Sequence, residues 1–344
     1  MERCTLTTIA QAARVSVSTV SYALRNHPKI PPETALRIQQ LAAELGYKAH
    51  PSVAALMAHI RSARQPSSAE KIAFVWIEVA PTEANIPFNQ QIIAGARARA
   101  VQLGYEMEEF WLAEPGMTSR RLGEILRTRG ITGIVFSACD RKTGVQLEMD
   151  WPAHAMAIIG NARWNPELHR AGHYHYMGMQ RVLHELELRG YRRPAVLLER
   201  VVNERAHRAW EAAFLVHHPL RSQAKTLLKP FSILDPKEVK PWCERVRPDA
   251  IIVTKPLFVE PLRAAIGAAS SEIGYAVLDL LGGHGHLSGI DPVHSMVAAN
   301  AVDLVVSQLF HNERGVPSEP KKLLFEGRWI EGRTLRQAPA QARA

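Results

Sequence analysis

Apolar residues recur along the chain with two different periods, and the change comes near residue 70. In the first stretch they fall three and four apart. Ile9, Ala10 and Ala13 make one small face, Val20, Ala23 and Leu24 a second, and Ile38, Leu41, Ala42 and Leu45 a third. That spacing predicts three short helices. Thr7 or Thr8 is expected to cap the first, and Arg14-Val15 breaks the pattern. Ser16 is suited to cap the second, its hydroxyl accepting from the amide of Ser18 or Thr19. The third is expected to open near Pro31–Glu33 and to stop at Gly46. Val17, Ser18, Ser21 and Tyr22 are then left facing outward or sideways, where a surface helix commonly carries Glu and Lys.

From Lys71 onward, short apolar runs alternate with amphipathic stretches. The predicted strands are KIAFVWIEV, YEMEEFWL, ITGIVFS, HAMAIIG, RPAVLL, TLLKPF, DAIIVT and IGYAVLDL, with helix-like segments such as FNQQIIAGARARAVQLG and GMQRVLHELELRG between them. Repeated strand–helix alternation predicts parallel sheets flanked by helices. Two such groups, split near residue 170, predict two lobes with a cleft between them, and ligands of such sheets bind outside the carboxyl ends of the strands. Toward the end, PVHSMVAANAVDLVVSQLFHNERGVPSEP reads as one helix stopped at Gly315-Val316-Pro317. KKLLFEGRWIEGRTLR then supplies one or two closing strands, and the tail QAPAQARA is expected to be disordered.

Composition narrows the class. No apolar run reaches the roughly 18 residues of a membrane helix, and the N-terminus lacks the pattern of a secretory signal. Cys4, Cys139 and Cys243 are far apart with no C-x-x-C pair, which fits a reducing, cytoplasmic setting. The net charge of +9 is uneven: residues 1–64 hold eight Lys or Arg against three Glu, a net +5. A basic excess concentrated in a small segment is a footprint for a polyanion. There is no Gly-rich phosphate loop with its Lys, no G-x-S-x-G elbow and no H-E-x-x-H helix, so an enzyme is not expected, and no cofactor is implied.

Three small helices with a tight first turn and an exposed second helix describe a helix-turn-helix reader of the DNA major groove. Short residues at the start of that helix allow close approach to base edges and phosphates. The run TLTTIAQAARVSVSTVSYALRNHPKIPPETALRIQQLAAELGY, with its V-S-x-x-T-V-S core (Val15 to Ser21) and closing E-L-G-Y, resembles the DNA-binding domain of LacI/GalR-type bacterial transcription regulators. The resemblance implies that Val17, Ser18 and Tyr22 read bases and that Thr19, Ser21 and Thr34 hold phosphates. Thr5, Leu6, Ser16 and Arg25 complete the set expected on DNA. HPSVAALMAHIRSAR matches the family's hinge, with Leu56 in the place of the leucine that wedges into the minor groove and Ala54 allowing close approach of paired hinge helices. Two departures stand out. Arg14 occupies the usual place of a Gly, so a non-Gly residue must take a left-handed turn at a cost of about 1 kcal/mol. Tyr22 replaces the usual Arg, so the operator half-site should differ from the family's commonest one.

The larger body resembles the family's periplasmic-binding-protein-like effector domain in NIPFNQQIIAGARARAVQLGY, RGITGIVF, LELRGYRRPAVLL, NERAHRAWEAAF and RPDAIIVT. The fold class expected is therefore α + α/β: a helix-turn-helix domain over 1–49, a hinge helix and linker over 50–70, and two α/β lobes over 71–333. Lobe 1 is expected over about 71–170 and 291–320, lobe 2 over about 171–290 and 321–333, with a tail over 334–344. The chain should cross between lobes near 170, 290 and 320. In the cleft, Arg205 and Asp279 match residues that bind effector hydroxyls or carboxylates. Lys255 replaces a common polar pair, and His173 stands where an aspartate is usual. An added Lys and a lost acid point to a ligand more anionic than a plain sugar, or to no effector at all. Asn85 and Phe88 are expected to line the cleft from the first lobe. A rival reading uses His173, His175, His284 and His286 as a metal-responsive cluster. The expected protein is a homodimeric regulator, most readily a repressor, with operator DNA and a small-molecule effector as partners.

Overall fold

The computed structural model describes residues 5–24, 29–45, 47, 70–139, 145–281 and 285–338. Its first part is a three-helix unit of α1 (Leu6–Ala13), α2 (Val17–Ala23) and α3 (Pro32–Glu44). The core is small and rich in alanine: Ile9, Ala10, Ala13, Val20, Ala23, Ala35, Ile38 and Ala42 are buried together. Such short side chains let the three axes approach closely. Leu45, expected on the apolar face of α3, is exposed, because it caps the helix beyond its last packed turn.

Thr5, rather than Thr7 or Thr8, caps α1. Its hydroxyl accepts from the Thr8 amide while the Thr8 hydroxyl accepts from the Thr5 amide, so two otherwise orphaned donors are satisfied reciprocally. The helix starts earlier than expected because Leu6 joins Ile9 and Ala13 on the packed face. Arg14 closes α1 in the left-handed conformation (φ 54°, ψ 47°), its amide donating to the carbonyls of Ala10 and Gln11. The expected turn is therefore made without a glycine.

The body holds β1 (Glu70–Trp76), α4 (Pro87–Gln102), β2 (Tyr105–Trp111), α5 (Ser119–Thr128), β3 (Gly133–Phe136), β4 (Val145–Gln146), β5 (Ala155–Ile159), β6 (Trp164–Asn165) and β7 (His169–His173). There follow α6 (His175–Leu188), β8 (Pro194–Glu199), α7 (Arg200–Arg205), α8 (Ala209–His217), β9 (Leu228–Phe231), α9 (Pro236–Val246), β10 (Ala250–Val253), α10 (Val259–Ile266) and β11 (Gly274–Val277). The last elements are β12 (Ser288–Asp291), α11 (His294–His311), β13 (Lys322–Phe325) and β14 (Arg328–Ile330).

Two six-stranded sheets result, ordered β13-β7-β5-β3-β1-β2 and β14-β12-β11-β10-β8-β9. The pairings within them are parallel except β12 with β14. Continuous apolar runs form these strands because helices cover both faces. In the first lobe Phe74, Trp76 and Val302 pack on one face of the sheet, and Phe110, Leu122 and Phe136 on the other. In the second, Trp210, Phe214 and Tyr275 anchor the core.

The chain passes between lobes after β7, after β12 and after β13. The third passage falls after Phe325, later than the position near 320 expected from sequence, because β13 pairs alongside β7 in the first sheet. Gly327 sits in that passage at φ 80°, where a Cβ would lie 2.7 Å from the Asp291 carbonyl oxygen. The long helix α11 ends at Asn312 in the left-handed conformation, before the expected stop at Gly315. The segment after 333 also departs from expectation. Thr334 pairs with the backbone of Tyr275 and accepts from the Ser288 amide, Leu335 packs on the second core, and Arg336 stacks over Tyr191 at 4.7 Å. Its polar composition concealed these anchors.

Helix α4 meets α11 at very close range: a Cβ on Gly95 would lie 2.2 Å from the Ser295 carbonyl oxygen. Gly95→Ala is expected to destabilise the first lobe by about 1–3 kcal/mol through overpacking, read as a lower thermal midpoint. An unchanged midpoint would contradict the close crossing.

Candidate functional site

In the three-helix head, Ser16 caps α2 by accepting from the Thr19 amide at 3.1 Å, and its oxygen lies 2.8 Å from the Thr19 hydroxyl. Val17 and Ser18 are exposed at the start of the helix, while Thr19, Ser21 and Tyr22 are half-buried. Gln39 fixes α3 against this helix by donating to the Ala23 carbonyl at 2.9 Å. Thr34 sits half-buried in the first turn of α3, and Thr5 is exposed. The side chain of Leu6 packs against the head's core. Arg25, Ala54 and Leu56 lie outside the described residues.

The second locus follows from strand direction. Parallel strands deliver their carboxyl ends to one edge, so the residues just past those ends gather there. In lobe 1 these include Glu78, Cys139, Asn161 and His173; in lobe 2, Glu199, Thr254, Lys255 and Asp279. Arg205, ending α7, is half-buried among them. Burial lowers its pKa, while the charges of Asp279, Cys139 and Glu78 pull it back upward. One guanidinium thus feels carboxylates from both lobes.

Asp279 accepts from the Leu281 amide at 3.2 Å and lies 3.2 Å from His294 Nε2, which begins α11 on the first lobe. Phe88 meets the His294 ring edge to face at 4.7 Å. The His173 and His175 rings are 4.9 Å apart, and His175 lies 4.3 Å from the Trp210 ring. Both ring nitrogens of His173, Nδ1 of His175 and the Thr254 hydroxyl are buried without a hydrogen-bond partner. Burial pushes the His173 pKa down to about 4, with Asp279 opposing and the neighbouring His294 assisting the fall. Burial also drives His175 well below its ordinary value, helped by His173, His294 and His207. These two imidazoles are therefore neutral near pH 7.

Direct hydrogen bonds tie the lobes together around this group. Gln91 of α4 donates to the Leu281 carbonyl at 2.7 Å, and His207 Nε2 lies 2.9 Å from the Asn161 carbonyl. Asn161 in turn donates to the His173 carbonyl at 2.9 Å. Of the residues expected in the cleft, Phe88, His173, Arg205 and Asp279 share this network. Lys255 does not carry a free charge into it, because its Nζ lies 3.0 Å from Glu199 Oε2. Asn85 is exposed in the turn before α4. His286 is exposed, His284 lies outside the described residues, and among the described residues no three His, Cys, Asp or Glu side chains are placed to hold a metal ion.

Sequence reasoning missed His294, Glu78, Asn161 and Glu199. The available signal was a polar residue directly after an apolar strand, as in Glu78 after KIAFVWI. His294 had no such signal. A groove of about 500 Å³, lined by Arg120, Glu124, Arg127, Glu148, Asp150 and His154, lies at the opposite, amino end of β3 and β5 and touches none of these groups.

The depressed His173 pKa has a definite consequence for stability. The unfolded chain binds the proton more readily, so stability from this group is complete above about pH 6.5 and is lost as pH falls toward about 4. His173→Gln is expected to remove part of the acid destabilisation, up to about 3 kcal/mol between those limits. Parallel denaturation curves of wild type and variant from pH 7 to 4.5 check this; identical acid sensitivity would contradict the buried, neutral assignment.

Comparison with known proteins bears on both loci. Residues 5–50 match the model of the lacI family of bacterial regulatory proteins. The maltose regulon regulatory protein MalI of Vibrio furnissii is 28% identical over 151 residues, 43% of this chain and 97% of that protein. Among solved structures, the transcriptional regulator CelR in complex with cellobiose has a TM-score of 0.57 at 17% identity, over 96% of this chain and 100% of that one. The Lac repressor dimer bound to operator and the anti-inducer ONPF has a TM-score of 0.52 at 15% identity, over 98% and 100%. A LacI-family regulator from Rhizobium etli has a TM-score of 0.56 at 13% identity, over 78% and 100%. At these identities the structures show a shared fold. Among the described residues, no helix is long and apolar enough to cross a membrane. The lacI-family model thus matches the helix-turn-helix head at residues 5–50, and the body has the fold that CelR and the Lac repressor have.

Proposed function

We propose that the chain is a sequence-specific DNA-binding transcription regulator, a repressor, that occupies a near-palindromic operator as a homodimer in the cytoplasm. The observation that carries this is the Ser16-capped helix presenting Val17 and Ser18 from a basic head. A helix of short side chains can seat its first residues against base edges, with Val17 placed to meet a thymine methyl. Thr5, Ser16, Thr19, Ser21 and Thr34 supply hydroxyls for backbone phosphates. Residues 50–70 serve as the hinge, with Leu56 as the minor-groove wedge. The protein acts by binding, not by catalysis.

The inter-lobe group is the effector site, and its chemistry favours a neutral, polyhydroxylated molecule over an anion. Glu199 cancels the Lys255 charge, and Asp279 and Glu78 flank the single Arg205. Neutral imidazoles with unfilled nitrogens suit hydroxyls, which both donate and accept. Phe88, half-buried against the His294 ring, offers an apolar ring to a sugar. The complexes of CelR with cellobiose and of the Lac repressor with ONPF and operator support this reading. A ligand that bridges the lobes changes their relative orientation and so the spacing of the heads, which is a coupling free energy between two sites.

Selection of binding sites from random duplexes by the full-length protein should recover a near-palindrome with a deformable central step. Recovery of an asymmetric or unrelated set of sequences would contradict the dimeric reader. In a thermal-shift panel, neutral mono- and disaccharides should include a stabilising ligand and their phosphorylated counterparts should not. Stabilisation by the phosphates alone would overturn the assignment of ligand class.

A further inference from the structure

Arg14 is a cation held in a backbone conformation that a glycine would adopt freely (φ 54°, ψ 47°). Its amide caps α1, a task that needs no side chain. The side chain is exposed and makes no hydrogen bond or ion pair with any described residue. Two other left-handed polar residues use their side chains within the protein: His207 meets the Asn161 carbonyl, and Arg208 pairs with Glu211. Arg247, which closes α9 at φ 45°, is exposed like Arg14 but lies in the second lobe, away from the head.

Position separates the two arginines. Arg14 lies two residues before Ser16, the cap of α2, in the turn that leads into the exposed Val17 and Ser18. A reading helix enters the major groove with its first residues, so the turn preceding it rides over the groove's rim, where the phosphates lie. A guanidinium there has the fork geometry that phosphate oxygens accept in pairs. We infer that Arg14 grips a backbone phosphate flanking the bases read by α2, and that this contact offsets the strained turn. The inference rests on the DNA-binding reading above. Each head of a dimer makes the contact once, and it positions the head without reading sequence.

The test titrates full-length wild type, Arg14→Gly, Arg14→Lys and Arg247→Gly against a random-sequence duplex and against the duplex recovered by selection, over a range of salt. Glycine fits the turn, so Arg14→Gly keeps the fold, and its thermal midpoint should not fall. It should weaken both duplexes by a similar factor. The plot of log affinity against log salt should become shallower by about 1 per head, about 2 for the dimer. Arg14→Lys should keep most of the slope, and Arg247→Gly should match wild type. An Arg14→Gly protein with wild-type affinity and slope, or one weakened only on the selected duplex, would overturn the phosphate contact while leaving the DNA-binding reading intact. Failure of the wild type to bind either duplex would remove the reading itself.

Discussion

The architecture depends on one constraint: each lobe's sheet is parallel, apart from the single antiparallel strand β14, and the chain passes between them three times at the same edge. Parallel strands cannot spread their carboxyl ends, so the polar residues that follow them must meet. Between two lobes such residues lose water, and each must find a partner, become neutral or await a ligand. Arg205 takes the first course through Asp279 and Glu78; His173 and His175 take the second. The unfilled nitrogens of those imidazoles and the Thr254 hydroxyl take the third. The cleft is thus a direct consequence of topology, and its chemistry follows from which residues end the strands.

The same edge couples the lobes. Asp279 faces His294 across the cleft and also holds the Leu281 amide, and Leu281, itself left-handed at φ 52°, accepts from Gln91 of the first lobe. A ligand hydroxyl that donates to Asp279 would compete with both of its present partners. The effect then reaches α4 through one strained residue. Packed lobes of this kind switch between arrangements instead of deforming smoothly. The head is the opposite case: its alanine-rich core is thin, and it adds a reciprocal cap between Thr5 and Thr8 and a single cap from Ser16 to the Thr19 amide.

Most of the strands read from the sequence were legible as continuous apolar runs, the mark of a strand covered on both faces, whereas the polar β7 (HRAGH) and the short β12 (SGID) carried no such signal. The head was legible because helix spacing, hydroxyl caps and a family motif agree. Less of the cleft could be read, for physical reasons. His294 opens a helix far along the chain and reaches Asp279 only through the second passage between lobes. Lys255 suggested a free positive charge, but Glu199, 56 residues earlier, ends the adjacent strand β8 and cancels it. The tail's composition suggested disorder, whereas Thr334 and Arg336 find partners on β11 and at Tyr191. In each case the deciding partner is distant in sequence, where periodicity carries no information.

The most direct measurement is the equilibrium affinity of the full-length protein for its selected duplex and for random duplex across a salt series. The account predicts a linear, steep fall of log affinity with log salt on both, since phosphate contacts release counterions. It also predicts a preference for the selected duplex of about a thousandfold or more. A flat salt response, or equal affinity for the two duplexes, would contradict it.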